Sequence, residues 1–260
     1  MKDMESKILV VTGMHRSGTS LVSQYLQECG INMGRRLINL KAESVASAYN
    51  GHHEDSDFVE FHERVLRNRR VSIFVSNESR FPIKLREVER NEVLRLLEAR
   101  KNFNQWGWKD PRTSLFLEFW QEMIPNAKYI FLFRDPLEVV DSLIRRNTDK
   151  AVSKSPVTAL RAWKLYNKKI ARFWKVNKGL VLVRSINEVI SDPITLYAPL
   201  AEQMNFVLAS VEFGSIYSSG ALINELTDQV IELKHRHPRE VKEAFSTYEE
   251  LMEISYSSFR

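Results

Sequence analysis

A single cysteine, Cys29, occurs in 260 residues. No internal disulfide can form, which excludes a disulfide-stapled secreted fold and makes a reducing compartment the expectation. Apolar runs are short. None nears the ~20 residues that cross a bilayer. The stretch Met1–Lys7 mixes acids and bases ahead of only four apolar residues, Ile8 to Val11, which is too few for a signal-peptide core. A soluble, cytoplasmic protein is expected. There is no internal repeat and no low-complexity linker. Nor does one sign of charge dominate: 38 Lys and Arg against 33 Asp and Glu leave a net charge of +5. That modest excess suits an anionic ligand without specifying one. Bases alternate with acids, as in Leu85–Arg100, and no dense basic stripe with interleaved aromatics occurs. A nucleic-acid partner is therefore not expected.

What is present is ordinary globular material, 43% hydrophobic and 27% charged. The length suits one α/β domain, or one with an added helical segment. Four brief apolar runs read as buried strands: Ile8–Thr12, Trp106–Lys109, Tyr129–Phe133 and Leu180–Arg184. Continuous runs of this kind fit a parallel sheet covered on both faces. Helical periodicity lies between them, over Ser17–Cys29, Asp57–Arg69, Lys84–Lys101, Pro136–Arg146 and Pro156–Lys175. Asp57-x-x-Glu60 has the form of a capping box, and Pro136 suits a first helical turn. Strands alternating with helices predict a three-layer α/β fold. From about Val207 onward the chain reads as helical, with Ala221–Lys234 and Arg239–Ile254 as segments. The expectation is one domain over 1–260 with 207–260 as a helical C-terminal extension.

The most informative segment is Gly13-Met14-His15-Arg16-Ser17-Gly18-Thr19-Ser20, between the first strand and the first helix. Its glycines have P-loop spacing. Such a loop turns tightly and converges backbone N–H groups on an anion at the positive end of a helix. A nucleotide-hydrolysing P-loop carries lysine after the second glycine, whereas Thr19 stands here and the cation, Arg16, lies inside the loop. The loop suits a phosphate but is poorly equipped for Mg-ATP. Asp110, between Lys109 and Pro111, is no convincing magnesium ligand.

A second basic constellation begins at Arg134, the end of the third strand. Ser142 and Arg146 follow eight and twelve residues later, one helical turn apart on one helix face. Arginine forks bind phosphate oxygens bidentately, so these three residues predict a second phosphate site.

Together the two segments resemble the sulfotransferases that use 3′-phosphoadenosine 5′-phosphosulfate (PAPS), of the bacterial and tyrosylprotein-like type. His15 to Ser20 resembles their 5′-phosphosulfate loop. Arg134, Ser142 and Arg146 resemble their 3′-phosphate site, and Trp108-Lys109-Asp110-Pro111-Arg112 looks like their K-D-P motif. A weaker likeness covers Asn187–Pro193, where Ile186 and Asn187 replace the tyrosine common in the family. The resemblance spans roughly residues 8–205. It implies a P-loop-like fold, PAPS as donor with 3′-phosphoadenosine 5′-phosphate (PAP) as product, and no required metal. On family habit the acceptor is a glycan or a small hydroxylated metabolite.

Sulfuryl transfer builds charge on the bridging oxygen, which the protein must neutralise while it accepts a proton. Arg16 supplies one cation. Lys109, by the resemblance, faces the leaving group. The polar run Asn50–Asp57 offers the general base: Glu54, if partial burial tunes its carboxylate, with His52 as the alternative. Asp55 and Asp57 read as helix N-caps. Adjacent histidines His52 and His53 cannot both point one way, so a metal site is not expected there. His15 is placed as a hydrogen-bond donor in the loop. Trp106, Trp108, Trp163 and Tyr166 could line a cleft, though at strand and helix spacing such residues more often fill a core. Two other readings remain: a P-loop phosphotransferase using ATP, and a non-catalytic nucleotide-binding protein.

Overall fold

The computed structural model describes residues 6–38, 53–217 and 226–258. Among them four strands form one parallel sheet: β1 (Lys7–Gly13), β2 (Gln105–Lys109), β3 (Lys128–Phe133) and β4 (Val181–Ser185), in the order β2-β1-β3-β4. In register, Val10 lies beside Trp108 and Tyr129, and Ile130 beside Leu182. Side chains alternate across the sheet with period two. Val10, Trp106, Trp108, Tyr129, Phe131, Val181 and Val183 enter one core, and Leu9, Val11, Ile130, Leu132 and Leu182 enter the other. With both faces covered, each strand is apolar throughout, which is why the runs were readable.

The helices are α1 (Thr19–Glu28), α2 (Ser56–Asn68), α3 (Glu87–Glu98), α4 (Leu117–Met123), α5 (Pro136–Arg146), α6 (Lys150–Lys154), α7 (Pro156–Val176), α8 (Ile186–Ser191), α9 (Ile194–Ala198), α10 (Asp228–Arg236) and α11 (Pro238–Ser257). Helices α1, α8 and α9 cover one face, and α2 to α7 with α10 and α11 build the aromatic-rich core on the other. Trp106, Trp108, Trp163 and Tyr166 are core residues with at most 2% exposure, not a cleft lining. Phe58 stacks flat on Trp108, with centroids 4.2 Å apart.

Helix α2 begins differently from the expectation. Its N-cap is Asp55, which accepts from the Asp57 N–H, and the Asp57–Glu60 capping box does not form. Asp57 and Glu60 are instead engaged by Arg36, and Asp57 also by Arg100. Asp55 does more than cap. Its Oδ2 accepts from Arg35 N at 2.9 Å and from the buried Arg100 guanidinium at 2.6 Å. Losing an N-cap costs about 1 kcal/mol, and breaking a buried ion pair about 3–5 kcal/mol. Arg100 would keep Asp57, so Asp55→Ala is expected to cost about 2 kcal/mol, between those limits. Urea unfolding of the two proteins checks it; a loss under about 1 kcal/mol would mean that the cap alone matters.

The C-terminal helices are anchored at named points. Arg184, in β4, donates to the carbonyls of Ser255 and Ser258 at the end of α11. The Thr227 N–H donates to Asp141 of α5 at 2.8 Å. The tail is helical only from Asp228 onward among the described residues: 207–217, expected to be helical, hold a single short turn at Phe213–Ser215 and no α-helix, while α10 and α11 supply the two expected helical segments; residues 218–225 lie outside the described residues, as does His52. Among the described residues, no helix is long and apolar enough to cross a membrane.

Candidate active site

The carboxyl ends of β1, β2 and β3 converge where the chain leaves β1 toward β2 on one side and β3 on the other. Crevices at such switch points hold ligands in open α/β sheets. At the end of β1, a Cβ on Gly13 would lie 2.1 Å from the Leu132 carbonyl oxygen, so only glycine fits between β1 and β3. Arg16 has a left-handed backbone (φ 69°), which is uncommon for a residue with a side chain. Gly18 (φ 85°) caps α1 and lies against Ile186 of α8, where a Cβ would meet that side chain at 2.3 Å. Ile186, the residue just before the weak Asn187–Pro193 likeness, buttresses the loop.

The loop and α5 meet. Arg16 Nε donates to Ser142 Oγ at 2.8 Å. Arg16 is exposed as a residue, yet the protein packed about its guanidinium, and then the charges of Arg146, Arg134 and Arg145, push the group down to about 10. Four arginines thus share one neighbourhood, an arrangement that favours an anion among them. Arg134 itself is buried, ion-paired to Glu138 through Nε at 2.7 Å, and its carbonyl accepts from Trp163 Nε1. Asp135 caps α5 and aims its first turn.

His15 stands beside Phe74 and Tyr166. Burial, then the charge of Arg112, with Lys109 and Arg146 adding and Asp110 opposing, pushes its imidazole down to about 3. It is neutral near pH 7. His15 Nε2 and Ser17 Oγ are buried and have no hydrogen-bond partner among the described residues. Buried polar atoms are normally satisfied. Two orphaned atoms in a phosphate-type loop fit a bound anion there.

At the end of β2 two of the three predicted catalytic residues, Lys109 and Glu54, meet. Lys109 Nζ donates to Glu54 Oε1 at 2.9 Å and to Ser20 Oγ at 3.2 Å. Lys109 is buried, and burial holds its ammonium below the usual lysine range, with Glu54 partly offsetting. Its carboxylate partner is Glu54, not the adjacent Asp110. Glu54 is buried, but its surroundings are cationic rather than apolar: Lys109 holds Oε1, and Arg112 Nη1 stands 3.7 Å from Oε2. Among the described residues Oε2 accepts no hydrogen bond, so it is the oxygen open to an incoming proton. The backbone of this segment is fixed by Ile38 N–H donating to the Glu54 carbonyl at 2.8 Å. The structure thus gathers His15 to Ser20, Glu54, Lys109, Arg134, Ser142 and Arg146 at the ends of three strands.

Sequence reasoning missed a second layer. Asp110 pairs with Arg112 at 2.9 Å, and His62, from α2, lies between Asp110 and Trp120. Arg112 was visible beside Lys109, but its role was not. His62 sits on a helix face among Phe58 and Phe61 and carries no sequence signal. Among the described residues no group of three or more His, Cys, Asp or Glu is placed to hold a metal.

The fold and the loop define a P-loop-like α/β protein whose arginines cluster beside the glycine loop at the strand ends. The sulfotransferase family model matches residues 9–193, most of the chain. The chain belongs to the sulfotransferase family, and its activity is sulfuryl transfer. Solved structures share the fold. The sulfotransferase domain from the curacin biosynthetic pathway matches with TM-score 0.54 and 15% identity, over 94% of this chain and 98% of that one. Sulfotransferase STF1 from Mycobacterium tuberculosis matches with TM-score 0.55 and 15% identity, over 89% and 76%. The sulfotransferase domain of the Synechococcus olefin synthase matches with TM-score 0.53 and 15% identity, over 99% and 97%. A comparison with curated protein sequences gives no match.

Proposed function

We propose that the chain transfers a sulfuryl group from PAPS to a hydroxyl or amine of its acceptor, with Glu54 as general base and Arg16 and Lys109 as the neutralising cations. The observation that carries this reading is the Arg16–Ser142 hydrogen bond, which joins the two basic constellations into one anion-binding surface. His15, Arg16, Ser17, Gly18, Thr19 and Ser20 would hold the 5′-phosphosulfate end. Arg134, Ser142 and Arg146 would hold the 3′-phosphate. The donor supplies the sulfuryl group, whose S–O bond to phosphate breaks as the new bond to the acceptor forms. The residues of this chain do the rest: the arginines orient the nucleotide, Lys109 meets charge on the leaving oxygen, and Glu54 takes the acceptor proton on Oε2. Residues 207–260 act in this reading as an extension of the same unit, tied to β4 and α5 through Arg184 and Asp141.

The test is nucleotide preference. Removing one charge-assisted phosphate contact loses about 1.5–3 kcal/mol, about ten- to a hundredfold in affinity. PAP is therefore expected to bind at least tenfold more tightly than AMP, with Arg134→Ala removing most of the difference, and with EDTA changing nothing. Titration calorimetry decides. Equal affinity for PAP and AMP would refute the 3′-phosphate assignment, and binding that needs Mg²⁺ would favour an ATP-type site.

A further inference from the structure

Four buried side chains beyond the expected site form one line. Trp120 Nε1 can only donate, and it donates to His62 Nε2 at 2.9 Å. The His62 ring proton is therefore on Nδ1, where it is given to Asp110 Oδ2 at 2.8 Å. The other oxygen of Asp110 accepts twice from Arg112, from the backbone N–H and from Nη1, both at 2.9 Å. Arg112 Nη1 then faces Glu54 Oε2 at 3.7 Å, while Nη2 bonds Glu63 at 2.7 Å. Trp120, His62 and Asp110 are fully buried. Burial would raise the Asp110 carboxyl, but the Arg112 guanidinium and His62 outweigh it and hold the group well below the usual range. The Arg112–Asp110 pair is accordingly a firm one.

We propose that Arg112 is a positioning residue for Glu54, aimed by the Trp120–His62–Asp110 line. It rests on Glu54 serving as the base. A glutamate has three side-chain torsions, and Lys109 is a point charge that touches only Oε1. One contact leaves the carboxylate free to rotate about its last bond. A second cation beside Oε2 sets the carboxylate plane, and with it the direction from which a proton can arrive. Lys109 also has a competing task at the leaving oxygen, whereas Arg112, fixed by Asp110 and Glu63, stands beside Oε2 with no such task. A displacement of about 1 Å at a reacting group can cost as much as a hundredfold in rate.

The experiment follows PAP release from PAPS, with water as the ever-present acceptor and with the best of a panel of sugars and phenols. Arg112→Ala is expected to lower kcat about ten- to a hundredfold, leave PAP affinity within about twofold, and lose nothing further when combined with Glu54→Gln. Arg112→Lys, which can reach Oε2 without the fork to Asp110, is expected to recover part of kcat. Should Arg112→Ala fail to fold, Asp110→Asn keeps the His62 contact, loosens Arg112 and is expected to lower kcat alone. Losses that add in the double variant, or PAP affinity that falls in step with kcat, would overturn the positioning role while Glu54→Gln remains inactive. Normal turnover in Glu54→Gln would instead remove the base assignment, and the positioning role with it.

Discussion

Glu54→Gln is expected to keep PAP affinity and lower kcat by about 10² to 10⁴, the usual contribution of a positioned general base. Glutamine retains the shape and can still accept from Lys109 through its carbonyl, but it cannot take a proton from the acceptor. The same side-chain volume also keeps Ile38 and Asp55 where they are, so the thermal midpoint should move little. His53 and His52 flank the position, and His52→Ala is the control. Near-normal turnover in Glu54→Gln with collapse in His52→Ala would transfer the base to histidine. Collapse in neither would mean that the acceptor brings a nucleophile that needs no base from this segment. His15 is a weak base in this setting: burial, and then the neighbouring cations, press its imidazole down to about 3.

The sheet was legible because parallel strands buried on both faces are apolar without interruption, and each predicted strand lies within one residue of its observed bounds. Helix α5 was read at both ends, since Asp135-Pro136 opens it and Arg146 closes it before the left-handed Asn147. Helix α2 was misread by one residue because two acidic residues, Asp55 and Asp57, compete for one cap. The tertiary partners Arg100 and Arg36, which decide between them, are not local. The short helices α4, α6, α8 and α9 span only five to seven residues, too few for a period to register. Glycine spacing and strand-end position exposed the anion loop, Arg134 and Lys109, since those signals are local. The pairing of Lys109 with Glu54 joins residues 55 apart, and His62 meets Asp110 across 48. No periodicity links such positions; only the folded sheet end brings them together.

Lys109→Met is expected to lower kcat by about 10² to 10³, the range for loss of one preorganised group that meets developing charge. Its surroundings also set a pH signature in the fold. Burial holds the Lys109 ammonium below its usual range even with Glu54 beside it, so its charge is kept in the folded protein at a cost. Between that lowered value and the ordinary lysine range the unfolded chain binds more protons than the folded one, and stability therefore rises with pH in that window. Methionine has a similar length and no charge, so it removes the cost and flattens that rise. Glu54 loses its Oε1 partner but keeps Arg112. A methionine variant that keeps PAP affinity and turns over slowly, its midpoint lowered by the lost Glu54 pair but the fold intact, places Lys109 at the leaving oxygen, since charge there develops only in the transition state. The assignment fails if turnover survives, or if PAP affinity falls in step with turnover, because then Lys109 serves the fold through Glu54 and the leaving oxygen is met by Arg16 alone.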